Sequence, residues 1–175
     1  IFSIVGFFLI FSTLRYDNVI IIDRLVNPIR NFITVKKITV IISIFLTVIF
    51  ILFKDQLSEY FNLDDALVLL MIPLIVYTNA SYELLIIYNN RVNKFDNIAK
   101  IKVFQSSISG IFQLVFGFLG FNYFGLILAP LISKFSPYFK SKLFRRFFIK
   151  PKLYKKDYQM IDKYKKFPIF DLPSN

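Results

Sequence analysis

Residues 103–133 read VFQSSISGIFQLVFGFLGFNYFGLILAPLIS, thirty-one positions without a charged side chain. As one helix at 1.5 Å per residue the run would extend about 46 Å, well beyond the roughly 30 Å of hydrocarbon in a bilayer. The alternative is two crossings joined by a turn, and Gly117, Gly120, Asn122 and Gly125 cluster where it would fall. Charge chooses between the two. Lys100 and Lys102 precede the run and Lys134 follows it. Basic flanks stay on the cytoplasmic side of a membrane, so the number of crossings between them is even. The pattern predicts a helical hairpin, with spans at about 103–118 and 122–139.

The neighbouring segments repeat the logic. Residues 66–90 form a span interrupted only by Glu83, and 31–53 form another, in which Ile38–Phe53 is uncharged. Lys36 and Lys37 are expected to snorkel from that span to the headgroups. Residues 1–16 are apolar up to Arg15, without the basic start and small-residue cleavage site of a signal peptide. This segment begins on Ile1 and is shorter than a full crossing, so the sequence predicts a chain cut at both ends. The loops alternate in charge: 23–37 basic, 54–65 acidic, 90–102 basic, 118–123 uncharged, 134–166 strongly basic. That alternation predicts loops 23–37, 90–102 and 140–166 on the cytoplasmic side of a membrane.

Composition agrees. Hydrophobic residues make up 56% of the 175, and the mean hydropathy is +0.59, more apolar surface than a soluble domain of this length can bury. The net charge of +11 is concentrated: from Lys134 to Lys166 there are twelve Lys or Arg and two acids, Asp157 and Asp162. Such a stretch, interleaved with Leu, Phe and Tyr, would suggest nucleic acid in a soluble protein. Beside a membrane span it predicts a connector on anionic lipid and no nucleic acid. The absence of cysteine and histidine excludes disulfides, thiolate sites, a His-based triad and an imidazole switch. With no glycine-rich phosphate loop and no paired-acid motif, neither a cofactor, a metal nor an enzymatic reaction is expected.

Polar side chains inside spans are costly and mark an interior or a wet cavity. Asn79, Tyr82, Glu83, Ile86 and Asn90 are spaced by 3, 4, 7 and 11, one face of a helix that Pro73 could kink. One reading is the wall of a translocation path; the other is a hydrogen-bonded helix contact with Glu83 snorkelling to the interface. Arg15 is either an anion-binding guanidinium or an interface anchor neutralised by Asp17. Ser106, Gly110, Gln113 and Gly117 share a face expected to pack closely against another helix.

These residues also resemble a known family. The segment LRYDNVIII, from Leu14, is similar to the LRYE-A-I segment of polysaccharide and O-antigen flippases. Arg91, Phe95, Ala99, Gln105 and Ser106, followed by Gly125-Leu126-Ile127-Leu128, resemble their fourth-to-sixth helix region. YKKFPIFDLPSN, from Tyr164, looks like the tyrosine, Phe-Pro and Leu-Pro-Ser signature that opens their seventh helix. Asp17 departs from the usual glutamate.

The resemblance implies an all-α integral membrane protein, a partial six-helix first lobe of an exporter-type flippase. It assigns 1–139 to that lobe, 140–166 to a basic cytoplasmic connector and 167–175 to the start of a second lobe. It further implies alternating-access transport of an undecaprenyl-diphosphate-linked oligosaccharide, as part of a longer chain. Arg15 would then bind the anion, Asn79, Tyr82 and Glu83 would line the cavity, and Glu83 is the alternative site for a coupling cation. A non-transporting membrane subunit and a membrane enzyme of polysaccharide assembly, such as a polymerase, are the competing expectations.

Overall fold

Loop residues with unusual backbone freedom set the helix boundaries. The computed structural model describes residues 2–23, 27–60, 66–140, 152–166 and 168, and among the described residues there is no strand. Eight helices follow in order among the described residues: α1 (Phe2–Ser12), α2 (Asp17–Ile22), α3 (Pro28–Leu52), α4 (Lys54–Tyr60), α5 (Ala66–Arg91), α6 (Phe95–Phe118), α7 (Asn122–Lys140) and α8 (Lys155–Lys163). Residues 61–65 of the acidic loop and 141–151 of the connector lie outside the described residues. So does the second-lobe opening expected over 167–175, apart from Pro168.

The α3 start combines two favourable choices. Asn27 accepts a hydrogen bond from the Ile29 amide at 3.1 Å, and Pro28 occupies the first turn, where its missing N–H costs nothing. Helix α5 stops at Asn93, which adopts φ 55°, while the Lys94 amide reaches back to the Asn89 carbonyl at 2.9 Å. Helix α6 stops the same way at Gly120, φ +74°, with the Phe121 amide bonded to the Phe116 carbonyl at 3.0 Å. The uncharged run therefore turns within its glycine cluster. Gly125 is needed there for contact as well: a Cβ on it would lie 2.7 Å from Phe116 Cβ, so the two arms of the hairpin touch directly.

Helices α3 and α5 run side by side, with α1 and α7 against α5, and α6 held chiefly by α7. Two apolar clusters occupy opposite ends of the bundle. One gathers Val5, Leu46, Phe50, Leu69, Ile72 and Ile127. The other gathers Tyr16, Ile20, Phe32, Val35, Leu84 and Met160, and so includes α8. Helix α5 runs unbroken through Pro73. In α7, Pro137 removes the donor for the Ser133 carbonyl, and the Ser136 hydroxyl donates to that carbonyl instead, at 2.6 Å.

Among the described residues three helices are long and apolar enough to cross a membrane: Pro28–Leu52, Met71–Arg91 and Phe95–Phe118. The sequence predicts four complete crossings, because it adds the second arm of the hairpin. That arm is α7, whose 19 residues extend about 28 Å and carry Lys134 within them.

Two expectations need correction. Lys36 and Lys37 do not snorkel: Lys36 is fully buried and Lys37 is 7% exposed. The stripe Ser106, Gly110, Gln113 and Gly117 makes no close helix contact among the described residues. All four are exposed, and a Cβ added to Gly110 or Gly117 would meet no atom within 4 Å.

Candidate functional site

The polar side chains inside the bundle collect where α3, α5 and α7 meet. Asn79 lies 13 residues after Ala66 and 12 before Arg91, hence about 20 Å and 18 Å from the two ends of α5. Its side-chain amide donates to the Ile75 carbonyl at 2.8 Å, which leaves the side-chain oxygen free to accept. Lys134 of α7 fills that role: its amine donates to Asn79 Oδ1. The same amine stands 5.8 Å from the centre of the Tyr82 ring, within cation–π range. A cavity of about 180 Å³ opens beside it between α1, α5 and α7, lined by Leu9, Ile75, Thr78, Asn79, Pro130 and Lys134 among others.

One turn further along α7, Tyr138 builds the second half of the layer. Its hydroxyl donates to the Ser81 carbonyl at 2.5 Å and accepts from Lys36 Nζ at 3.4 Å. The Lys36 amine also stands 4.8 Å and 5.1 Å from the Tyr138 and Tyr77 ring centres. Spacing explains the arrangement: Lys134 and Tyr138 are four apart, so α7 offers both to α5 from one face. Gln105 of α6 donates to Ser133 at 3.2 Å and ties the hairpin to this layer.

The structure brings some of the expected residues together and separates others. Asn79 and Tyr82 are buried around Lys134, while Glu83, next on the helix, is exposed. Arg15 is elsewhere. It sits at the break between α1 and α2, where Leu14 and Arg15 take φ values of 49° and 59°, a region that side chains larger than glycine seldom enter. Asp17 does not neutralise it: Asp17 accepts from the Thr13 hydroxyl at 2.8 Å, and no Arg15–Asp17 ion pair forms among the described residues. Arg15 Nε is buried with no hydrogen-bond partner among the described residues.

Sequence reasoning misses Lys36 and Lys134. Each lies where a basic run meets an apolar span, the pattern of a charge at the interface. The available signal is tyrosine: Tyr77 and Tyr138 are polar aromatics within spans, and each supplies a ring to a buried amine.

At the α8 end a different pair closes. Lys37 Nζ and Asp157 Oδ2 are 2.7 Å apart, and the Thr34 hydroxyl donates to Asp157 Oδ1 at 2.6 Å. The Tyr154 amide donates to the same carboxylate at 2.8 Å, capping α8. Burial alone would raise the Asp157 carboxyl. The bonds from Lys37, Thr34 and Tyr154 outweigh it and leave the group below its ordinary value of 3.8.

An all-helical bundle with several membrane-length helices and amines buried among tyrosines defines a multi-pass membrane protein whose interior is polar. A family model described as polysaccharide biosynthesis protein matches residues 1–164, and the chain belongs to that family. It is flippase-like, and the chain has a role in polysaccharide biosynthesis and export. No curated protein and no solved structure matches it.

Proposed function

We propose that this chain is part of a transporter that moves an undecaprenyl-diphosphate-linked oligosaccharide across the bacterial cytoplasmic membrane by alternating access. The observation that carries the reading is Lys134, held by Asn79 at half the depth of α5 beside an open cavity. Diphosphate and sugar hydroxyls cannot enter hydrocarbon unpaired. An amine at mid-depth offsets the anion, and an amide and a hydroxyl, Asn79 and Thr78, suit sugar hydroxyls. Exposed Glu83 on the same stretch of α5 is the group available to a coupling cation. The basic loops 23–37, 90–102 and 140–166 support a cytoplasmic position for the α8 end. The chain's part in this is binding and movement, without enzymatic chemistry.

The test uses the full-length protein and an export assay in cells. Lys134→Ala is expected to lower export about 100-fold, and Lys134→Arg, which keeps the charge, less than about tenfold. Arg15→Ala is expected to have the smaller effect of the two alanine variants, and Arg15→Lys less still. Export unchanged by Lys134→Ala at equal protein level would sink the reading and favour a non-transporting membrane subunit.

A further inference from the structure

Helix α8 has two faces with different commitments. Its inward face is spent on the bundle: Asp157 bonds Lys37 and Thr34, Met160 joins the apolar cluster with Tyr16 and Phe32, and the Tyr16 hydroxyl donates to the Ile161 carbonyl at 3.3 Å. Arg30 adds a bond to the Lys156 carbonyl at 3.3 Å. These contacts come from both α3 and the α1–α2 segment, so the helix cannot roll. The outward face is thereby fixed, and it is basic and aromatic.

Lys155, Lys156, Lys163, Lys165 and Lys166 are exposed there, together with Tyr158 at 58% and neighbouring Tyr154 at 59%. Asp162 is the one exposed acid of α8, and it is engaged by Lys165 at 3.1 Å. Lys163 is shared with Asp23 at 3.7 Å. Lys155, Lys156 and Lys166 have no acid within 4 Å among the described residues.

We infer that the outward face of α8 is a membrane-surface site that binds the anionic headgroups of phospholipids in the leaflet at that end of the bundle. Three things converge on that occupant. The charge is complementary to a lipid phosphate surface. The exposed tyrosines have an apolar ring and a polar tip, the chemistry that settles at the headgroup level. The helix is also docked at the ends of membrane-length helices, which brings its lysines to the height of that surface. Lysine, a flexible point charge, suits a fluid layer of headgroups better than a single shaped anion.

The 175 residues contain no cysteine, so Gln159→Cys on the exposed face gives a unique label within them. The experiment places a fluorophore there in the full-length protein, with any other cysteine removed. The protein is reconstituted in nanodiscs of phosphatidylcholine with or without about 30% phosphatidylglycerol, each holding headgroup-spin-labelled lipid. Quenching is expected to be about twofold or more stronger in the anionic discs and to be lost near 1 M salt, where the Debye length is about 3 Å. Lys155→Glu with Lys156→Glu is expected to remove the difference. Equal quenching in neutral and anionic discs overturns the proposal, and the salt comparison needs no variant to fold. A label that stays aqueous in both discs but is shielded in native membranes also overturns it, and indicates an acidic protein partner.

Discussion

Lys36 and Lys37 are adjacent on one helix, and the molecule treats them in opposite ways. Successive helical residues point about 100° apart, so one side chain reaches the α8 end and the other turns between α5 and α7. Lys37 meets a carboxylate, Asp157, that also accepts from Thr34 and the Tyr154 amide. Lys36 meets a tyrosine hydroxyl and two ring faces. A carboxylate returns full Coulomb attraction for the lost hydration. Rings and hydroxyls return part of it. The first arrangement suits a fixed joint, the second a polar layer inside the bundle.

The comparison breaks most sharply at Asp157. Asp157→Ala strands the Lys37 ammonium in a buried place, and the expected cost is about 3–5 kcal/mol, read as a large fall in the unfolding temperature in detergent. Undocking of α8 should accompany it, seen as faster amide exchange over 155–163. Acid should do the same more gradually. The folded Asp157 carboxyl lies below 3.8, so its contribution is complete above that value and is lost as pH falls through the lower folded one. Near-neutral pH should therefore leave α8 docked, and an α8 that undocks between pH 5 and 7 would show that another group controls it.

A milder blow falls on the other lysine. Tyr138→Phe keeps the ring above Lys36 but removes the hydroxyl that bridges Lys36 and the Ser81 carbonyl, with an expected loss of about 1–2 kcal/mol in the same unfolding assay. Lys36→Met keeps the stem's packing and removes the buried amine. It is expected to shift stability by less than about 1 kcal/mol, while export falls if the interior charge serves the cargo. The smallest effect is expected from the paired change Lys37→Met with Asp157→Leu. Replacing both partners of a buried pair by apolar groups is often close to neutral. A loss as large as that of Asp157→Ala would mean that the joint depends on Thr34 and Tyr154 more than on the ion pair.

The helical class and the presence of a hairpin within 103–133 were legible because they depend on local quantities: run length, charge at the flanks and glycine at the turn. The stop at Gly120 follows from backbone freedom, which a glycine carries with it, whereas the start at Pro28 lies three residues before the 31–53 span read from the sequence. Half of the candidate site was legible for the same reason. Asn79 and Tyr82 stand out as polar residues in an apolar run, and their shared face follows from helical spacing. Lys36 and Lys134 were not legible as interior groups, since a lysine near a span end can snorkel outward or fold inward with equal local cost. The choice depended on Tyr77, Tyr138 and Asn79, which lie on other helices. The stripe from Ser106 to Gly117 shows the converse: small residues permit close approach but do not bring a neighbour.

The sequence by itself determined that this chain is an all-helical membrane protein and that residues 103–133 turn back within their glycine cluster. Those outcomes are summed along the chain, residue by residue, against the cost of placing charge or unpaired backbone in hydrocarbon. Only the tertiary structure decided which of two neighbouring lysines became a joint and which became part of a polar interior. A buried amine takes its partners from whichever helices pack beside it, and no local rule contains them.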